Sequence, residues 1–326
     1  MSLKVLHESL GVTWHSQGEQ EIPWSYGEVE AELEALRFGA ALLDFSEYGL
    51  VEVKGADRRD FLHNQCTSDI RRMPEGSWLE TVFLNAKGQI EHTGLVLHLG
   101  ESFWISTPSP KALAQRFRKY IVFDQVEVRE LEGWLTLRLQ GSKAEATAGR
   151  LGALPPRWGV SKTEALVMTR DELGLWLFAS ADQAPLFAKM LLENGATPVG
   201  RAAWQIWRVE RGLADLPEAL GELPQEVGWE ARVSYKKGCY LGQEIMARLE
   251  ARGHTRYQLM GLLGQKEIPA GAPIYRQGRL VGRVGTAVES PYLGAIALAL
   301  LRKELAPGDQ VQVEGWSATV SGLPMR

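Results

Sequence analysis

The chain has 326 residues, of which 45% are hydrophobic and 23% are charged, as in an ordinary soluble globular protein. A chain of this length is expected to form two or three domains. The formal net charge of −4 argues against direct nucleic-acid binding, which needs clustered Lys and Arg. No apolar stretch approaches the roughly 20 residues that span a bilayer, so we expect no membrane association. The two cysteines, Cys66 and Cys239, are too few for a disulfide framework and favour a cytoplasmic location.

The first part of the chain contains an order of strands and helices that occurs twice. Residues 49–55 alternate apolar and polar side chains, which is the strand period. The pattern then predicts a helix, three strands, a helix that starts at Pro110 and a closing strand, at 56–66, 77–85, 90–99, 102–108, 110–123 and 125–131. A similar order starts at Trp134, with a helix at 142–153, strands at 165–170 and 174–180 and a helix at 181–195. Apart from the additional strand at 102–108, we interpret this repeated order as the strand–helix–strand–strand–helix–strand pattern that is typical of ferredoxin-like folds.

The last third of the chain has a different pattern of predicted helices and strands. A single helix is predicted at 201–213 and a shorter one at 241–250. From Gln258 onward, short apolar strands are separated by glycines, which predicts a small antiparallel barrel of about 70 residues. The fold class is therefore α+β.

The densest chemical signal is the segment KKGCYLGQE, residues 236–244. Cys239 follows two lysines and precedes a predicted helix, and both influences would favour the thiolate and lower the pKa of the thiol. Gly238 and Gly242 would allow a ligand or partner to approach the backbone. The alternative for Cys239 is a buried, inert thiol.

The helix after this segment has two predicted faces. Leu241, Ile245 and Leu249 recur at four-residue steps and are expected to form its buried stripe. Glu244 and Arg248 lie four residues apart on another face, where opposite charges support a helix.

A second feature is WRVERG, residues 207–212. Helical spacing places the carboxylate of Glu210 on the apolar face that also carries Ile206 and Trp207. A carboxylate there needs a partner, because an unpaired buried charge is costly. The partner could be an arginine, or a ligand that offers paired N–H donors, as the aminopyrimidine edge of a pterin does.

No metal site is predicted. His63, His92, His98 and His254 show no helical pairing, and the two cysteines have no ligand spacing. A permanently bound iron–sulfur cluster would need about four cysteines. Dinucleotide, P-loop, GxSxG and HExxH motifs are also absent, so hydride transfer and nucleophilic hydrolysis receive no support.

The segment KGCYLGQE is similar to the motif of the YgfZ family, which is related to the aminomethyltransferase, or T-protein, of the glycine cleavage system. Three other blocks resemble the wider T-protein superfamily, and together they extend the resemblance over nearly the whole chain: residues 39–70, WRVERG and residues 281–301.

The resemblance implies a GcvT-like ring of three domains around a central hole that binds tetrahydrofolate. We expect a folate-binding α+β domain at 1–48 plus 127–250, a ferredoxin-like domain at 49–126 and a C-terminal β-barrel at 255–326. It further implies a set of site residues: Cys239 as the reactive residue, Glu210, Trp207 and Arg248 as folate contacts, and Lys237, Gly238, Tyr240, Gly242, Gln243 and Glu244 around the cysteine.

One departure from the T-protein pattern affects the functional interpretation. T-proteins carry a pair of aspartates after the glycine turn, whereas Glu91, His92 and Thr93 follow Lys87-Gly88 here. Proton handling in aminomethyl transfer requires a carboxylate at a fixed place. Alternation from Ile90 would turn Glu91 and His92 to opposite faces of the strand.

Two functions are consistent with these features. The first is a folate-binding accessory protein for iron–sulfur clusters in client enzymes, including tRNA-modifying ones, acting through Cys239. The alternative is a folate-dependent aminomethyltransferase, so the sequence leaves enzymatic activity open. The balanced charge is compatible with a monomer.

Overall fold

The computed structural model describes residues 2–18, 20–253 and 255–325. The chain divides into two compact units. The first contains the residues up to Thr81 together with His92–Trp204, and the second contains Val82–Glu91 and the residues from Gln205 onward. The three domain boundaries expected from the resemblance stay a prediction.

The first unit opens with two helices and three strands that precede the repeat. They are α1 (Leu3–Ser9), β1 (Thr13–Gln17), β2 (Gln20–Ser25), α2 (Val29–Phe38) and β3 (Ala41–Asp44). Strands β1 and β2 form a two-stranded antiparallel ribbon. His7 of α1 is buried and ties the helix to β3, because its Nε2 lies 2.9 Å from Asp44 Oδ2.

The first copy of the repeat follows the predicted order. Its elements are β4 (Gly49–Lys54), α3 (Arg58–Gln65), β5 (Trp78–Leu84), β6 (Ile90–His98), β7 (Ser102–Thr107), α4 (Pro110–Tyr120) and β8 (Glu127–Leu131). The five strands form a sheet of order β5-β6-β7-β4-β8. Pro110 occupies the first turn of α4 as predicted, but the helix ends at Tyr120 rather than Phe123.

The second copy has the same order of strands. Its elements are β9 (Trp134–Gln140), α5 (Ala144–Ala148), β10 (Val160–Lys162), β11 (Leu166–Arg170), β12 (Gly174–Ser180), α6 (Ala184–Glu193) and β13 (Thr197–Pro198). The sheet runs β10-β11-β12-β9-β3-β13. Strand β3, from before the repeat, takes the place beside β9 that β8 takes beside β4. The three-residue strand β10 was not predicted, because so short a segment carries no readable alternation.

The two sheets of the first unit share a hydrophobic cluster rich in aromatic side chains. It includes Trp78 and Trp104 from the first sheet and Val167 and Phe178 from the second. The indole N–H of Trp78 donates to the carbonyl of Arg170 at 3.1 Å, so its polar group is satisfied within the cluster.

The second unit contains short helices followed by the barrel. The helices are α7 (Arg201–Glu210, with its first four residues in the first unit), α8 (Leu216–Ala219) and α9 (Gln243–Arg252), with 3-10 turns at Pro224–Glu226 and Glu230–Arg232. Helix α7 ends three residues before the predicted Leu213, and α9 begins two residues after the predicted Leu241. Helix α9 starts after Gly242 because this residue adopts the left-handed conformation, with φ of 84°.

The predicted C-terminal barrel is confirmed. Its strands are β14 (Tyr257–Gly264), β15 (Pro273–Arg276), β16 (Arg279–Ser290), β17 (Gly294–Arg302), β18 (Gln310–Val313) and β19 (Trp316–Ser321), closed in the order β14-β17-β16-β15-β18-β19. Strand β17 is buried on both faces. Ala297 and Ala299 belong to the barrel cluster, whereas Ile296 and Leu298 pack with Val209 of α7. This two-sided burial explains the continuous apolar run in that strand.

Among the described residues, no helix combines the length and apolar character needed to cross a membrane.

Candidate functional site

The segment around Cys239 is a loop between the 3-10 turn at Glu230–Arg232 and helix α9. Burial alternates sharply along it. Lys237 and Tyr240 are 7% and 8% exposed, whereas Gly238 and Cys239 are exposed. The loop therefore presents the thiol to solvent, and the alternative of a buried Cys239 is wrong. Its reactivity stays a prediction.

Buried neighbours hold the loop on both sides of the cysteine. Tyr240 belongs to a core cluster with Val227, Trp229 and Met246. The ammonium of Lys237 lies 4.8 Å from the centre of the Tyr240 ring, within the range of a cation–π interaction. The backbone N–H of Tyr240 donates to Gln243 Oε1 at 3.3 Å, and the N–H of Gln243 donates to the Tyr240 carbonyl at 3.1 Å. These contacts fix the backbone at Tyr240, next to Cys239.

The turn between β5 and β6 packs against the start of α9. Asn85 shapes this turn, because its Oδ1 accepts the N–H groups of Lys87 at 2.8 Å and Gln89 at 3.1 Å. A Cβ on Gly242 would lie 2.8 Å from the carbonyl oxygen of Asn85. A Cβ on Gly88 would lie 2.8 Å from the Cβ of Ile245. Gly242 allows close approach to its backbone, as expected, but the approaching group is this turn. Gly88 in turn allows Ile245 of α9 to approach the hairpin.

The buried stripe of α9 differs from the predicted one. Met246 is fully buried, while Ile245 and Leu249 are partly buried against the same cluster. The β5–β6 turn approaches Ile245 and Met246. Leu241 is also partly buried, but it lies before the first residue of α9. Glu244 and Arg248 are exposed, and no ion pair between them is present in the described part of the chain.

The residues after this turn point in different directions. Glu91 is exposed, whereas His92 and Thr93 are partly buried. His92 Nδ1 lies 2.8 Å from Ser109 Oγ, and the hydroxyl of Thr93 donates to the carbonyl of Thr81 at 3.2 Å. The chain thus has one carboxylate here, on the face opposite to His92, as the alternation predicts.

Glu210, at the end of α7, is 8% exposed, and its carboxylate is hydrogen-bonded to a neighbouring side chain. The hydroxyl of Ser290 donates to Glu210 Oε1 at 2.7 Å. Ser290 Oγ in turn accepts the N–H groups of Tyr292 and Leu293, each at 3.1 Å. Because its oxygen receives two donors, the Ser290 hydroxyl directs its own proton to the carboxylate. Trp207, one turn earlier, is buried, with the Arg211 guanidinium 5.3 Å from its ring centre.

Ser290 was not singled out from the sequence. It lies in the segment ESPYLG within the block at 281–301, where a serine before Pro291 is a turn signal. Only the return of β16 toward α7 shows that its hydroxyl reaches Glu210, 80 positions earlier.

Arg208, two residues before Glu210 on α7, is also buried, at 2% exposure. Its Nη1 lies 3.0 Å from Glu218 Oε2, and its Nη2 donates to the hydroxyl of Thr286. Glu218 Oε1 accepts the N–H of Thr286 at 2.6 Å. The helix is therefore buried nearly all round, and this ion pair joins α7 to α8 and the barrel.

The histidines considered as metal ligands have other neighbours. His63 Nδ1 lies 3.4 Å from Asp69 Oδ1, and His98 stacks on Phe103 with ring centres 4.5 Å apart. His254 lies outside the described residues. Within the described ranges, no group of three or more His, Cys, Asp or Glu side chains is placed to hold a metal.

Comparison with known families agrees with this architecture. Residues 3–154 match the family described as the GCVT N-terminal domain, and residues 258–325 match the glycine cleavage T-protein C-terminal barrel domain. An aminomethyltransferase of Rubrobacter xylanophilus is 32% identical over 94% of this chain and 88% of its own length. The chain belongs to the glycine cleavage T-protein family.

The chain is also similar to a second curated protein and to a solved structure. The tRNA-modifying protein YgfZ of Photobacterium profundum is 27% identical over 84% of this chain and 87% of its own length. The crystal structure of aminomethyltransferase T from Bartonella henselae superposes with a TM-score of 0.89, covering 99% of this chain and 97% of that chain at 22% identity. This likeness confirms the GcvT-like α+β fold expected from the sequence.

Proposed function

We propose that this T-protein family member is a cytoplasmic, tetrahydrofolate-binding accessory protein of the YgfZ branch. Its role is the assembly or maintenance of iron–sulfur clusters in client enzymes, including tRNA-modifying ones. The observation that carries the proposal is the exposure of Cys239 on a loop held by the buried side chains of Lys237 and Tyr240. The name of the Photobacterium relative, a tRNA-modifying protein, supports the same direction.

A single exposed thiol is suited to transient contact with the iron–sulfur cluster of a client enzyme. Thiolates are the usual ligands of iron–sulfur clusters, and about four are needed to hold one. Cys66 is buried, at 1% exposure, so Cys239 is the cysteine that can meet a client. It would act through transient thiol chemistry or as one ligand shared with the client's own cysteines.

The polar arrangement at Glu210 fits a folate. The aminopyrimidine edge of a pterin offers paired N–H donors, and the Glu210 carboxylate is an acceptor whose orientation is fixed by Ser290. Trp207 and Arg248 are further proposed folate contacts. Bound tetrahydrofolate would supply a carrier for a one-carbon unit or a signal of folate supply.

A second candidate is folate-dependent aminomethyl transfer. The 32% identity to the Rubrobacter aminomethyltransferase favours it. The segment after the β5–β6 turn weighs against it, because Glu91 and His92 occupy the place of the paired acids and the His92 ring is engaged with Ser109. Glu91 would have to supply the required carboxylate alone.

The test is calorimetric titration of the whole protein with tetrahydrofolate, beside a methylene-transfer assay with the aminomethyl carrier substrate. We expect binding without turnover. Glu210→Gln should weaken binding by tenfold or more, since a hydrogen bond to a charged group contributes about 1.5–3 kcal/mol. Arg279→Ala, which changes an exposed barrel residue, is the matched control and should leave the affinity unchanged.

Each arm of this test can fail separately. Turnover that survives Cys239→Ala would establish the transferase and make the cysteine incidental. Unchanged affinity in Glu210→Gln would remove that carboxylate from the folate site. In cells, Cys239→Ala should abolish the activity of iron–sulfur client enzymes while folate binding persists, and normal client activity would refute the accessory role.

A further inference from the structure

The C-terminal end of α4 carries an exposed group of apolar and aromatic side chains. Val122 and Phe123 are 70% and 94% exposed, and Tyr120 is 42% exposed. Single exposed apolar residues are common on protein surfaces and need no explanation. Here three of four consecutive positions are exposed, which makes a continuous apolar tip of residues 120–123.

The loop that carries this tip is pinned at its base. The backbone N–H of Gln125 donates to Asp57 Oδ2 at 2.7 Å, and the N–H of Asp57 donates to the Gln125 carbonyl at 3.3 Å. Gly55, at φ of 114°, lies so close that a Cβ there would be 1.9 Å from the Gln125 carbonyl oxygen. The backbone is thus held at Gln125, two residues after Phe123.

All charged residues of helix α4, which leads to the tip, are basic. Its sequence PKALAQRFRKY has four cationic residues and no acidic one, although the whole chain has a net charge of −4. Arg116 is buried and donates to Gln65 Oε1 at 2.9 Å. Lys111 and Lys119 are exposed, and neither forms an ion pair with a described residue. Lys119 directly precedes Tyr120, whereas Lys111 lies in the first turn of the helix. Arg118, between them, is partnered by Glu130, with its Nη1 3.6 Å from Glu130 Oε1.

We propose that α4 and the tip at 120–123 form a docking surface for another protein, which offers an apolar pocket bordered by Asp and Glu side chains. Phe123 enters the pocket, and Lys111 and Lys119 face the carboxylates. Buried aromatic anchors surrounded by charged residues are typical of protein interfaces. This inference does not depend on folate binding or on Cys239.

A protein partner fits these residues better than nucleic acid or a membrane does. Single-strand binding proteins combine aromatic platforms with a positively charged groove that follows the backbone. Tyr120 and Phe123 offer aromatic faces, but Glu130 is paired with Arg118 beside them, which opposes such a groove. Asp124 follows Phe123 directly, and the negative net charge opposes an anionic lipid surface.

The experiment places a photo-crosslinking amino acid at position 123 of the full-length protein in its source cells. The same amino acid at Leu186, which is 52% exposed on α6 of the same unit, provides the matched control. We expect a protein crosslinked through position 123 and not through 186. An RNA or lipid product, or no product specific to position 123, would overturn the proposal.

Capture alone is insufficient, so the protein identified by mass spectrometry is purified and titrated against defined variants. Phe123→Ser should weaken binding by tenfold or more, whereas Leu186→Ser should not change it. Lys111→Glu with Lys119→Glu should weaken binding at low salt. This effect should shrink above about 0.5 M salt, where the Debye length falls to a few Å and exposed charges are screened. If Phe123→Ser fails to fold, the affinity for the partner is measured with Val122→Ser and with the lysine variants instead. Binding that is unaffected by these changes would refute the docking surface.

Discussion

Gly242 lies directly against Gly88: a Cβ on Gly242 would be 3.2 Å from the Gly88 Cα. Both glycines have positive φ, 84° and 76°. The β5–β6 turn, which precedes the segment where T-proteins carry their acids, therefore packs on the start of the helix that follows Cys239. The motif around Cys239 and the β5–β6 hairpin therefore contact each other directly, through Gly242 and Gly88.

This contact predicts that Gly242→Ala is more destabilising than glycine conformation alone would require. Gly221 has a similar φ of 82° but open space around its missing Cβ, so Gly221→Ala is the matched control. Each variant should lose about 1–2 kcal/mol from the left-handed conformation. Gly242→Ala should lose about 1–3 kcal/mol more, because its Cβ would overlap Asn85 and Leu84. Urea unfolding measures both, and equal losses would show that the turn can move aside.

The two cysteines should react at very different rates. Cys239 is exposed, whereas Cys66 is 1% exposed with its Sγ 3.6 Å from the Ser68 carbonyl. A thiol-specific reagent should therefore modify one equivalent in the native protein and a second only after unfolding. In Cys239→Ala the native equivalent should disappear while the melting temperature stays unchanged. A large fall in melting temperature would mean that Cys239 is a packing residue.

The ion pair between Arg208 and Glu218 should be costly to break. Both side chains are almost completely buried, at 2% and 0% exposure. Removing one partner leaves an uncompensated buried charge, so Glu218→Ala should lower the unfolding free energy by about 3–5 kcal/mol. The control is Glu304→Ala, which breaks an exposed pair with Arg279 and should cost about 0–1 kcal/mol. Similar losses in the two variants would contradict the burial of the Arg208 pair.

Glu52 predicts a pH-dependent contribution to stability. Burial would raise the pKa of its carboxyl, but hydrogen bonds from Arg129, Trp104, Lys54 and Ser102 outweigh burial and lower the pKa. Because the folded-state pKa is lowered, the stabilisation is complete above the unfolded-state pKa of about 4.3 and is lost as pH falls through the folded-state value.

Glu52→Gln should therefore lower the unfolding free energy by about 1–3 kcal/mol at pH 7. The difference from the natural protein should stay constant down to about pH 5 and shrink below about pH 4.3. Urea unfolding across this range measures it, with Glu304→Gln as the exposed control. A difference that does not vary with pH would show that charge is not the cause.

Local sequence patterns were sufficient for the repeat, the barrel and the position of the cysteine motif. Strand alternation and glycine punctuation depend on neighbours within a few residues, and these indicated β4 to β9 and five of the six C-terminal strands. The four-residue strand β15 was not predicted. The prediction that Pro110 starts α4 was confirmed for the same reason, since its fixed φ and missing N–H act locally. Cys239 and Glu210 were recognised from short motifs, and their roles stay predictions.

Tertiary structure decided the features that depend on distant residues. The insertion of β3 beside β9, the hydroxyl of Ser290 on Glu210 and the pairing of Arg208 with Glu218 join segments whose separation in sequence carries no periodic signal. The predicted Ile245 and Leu249 of α9 pack against the core, but its fully buried residue is Met246, which helical spacing did not single out. Helical spacing predicts which residues share a face, but only the packing of the chain determines which face is covered.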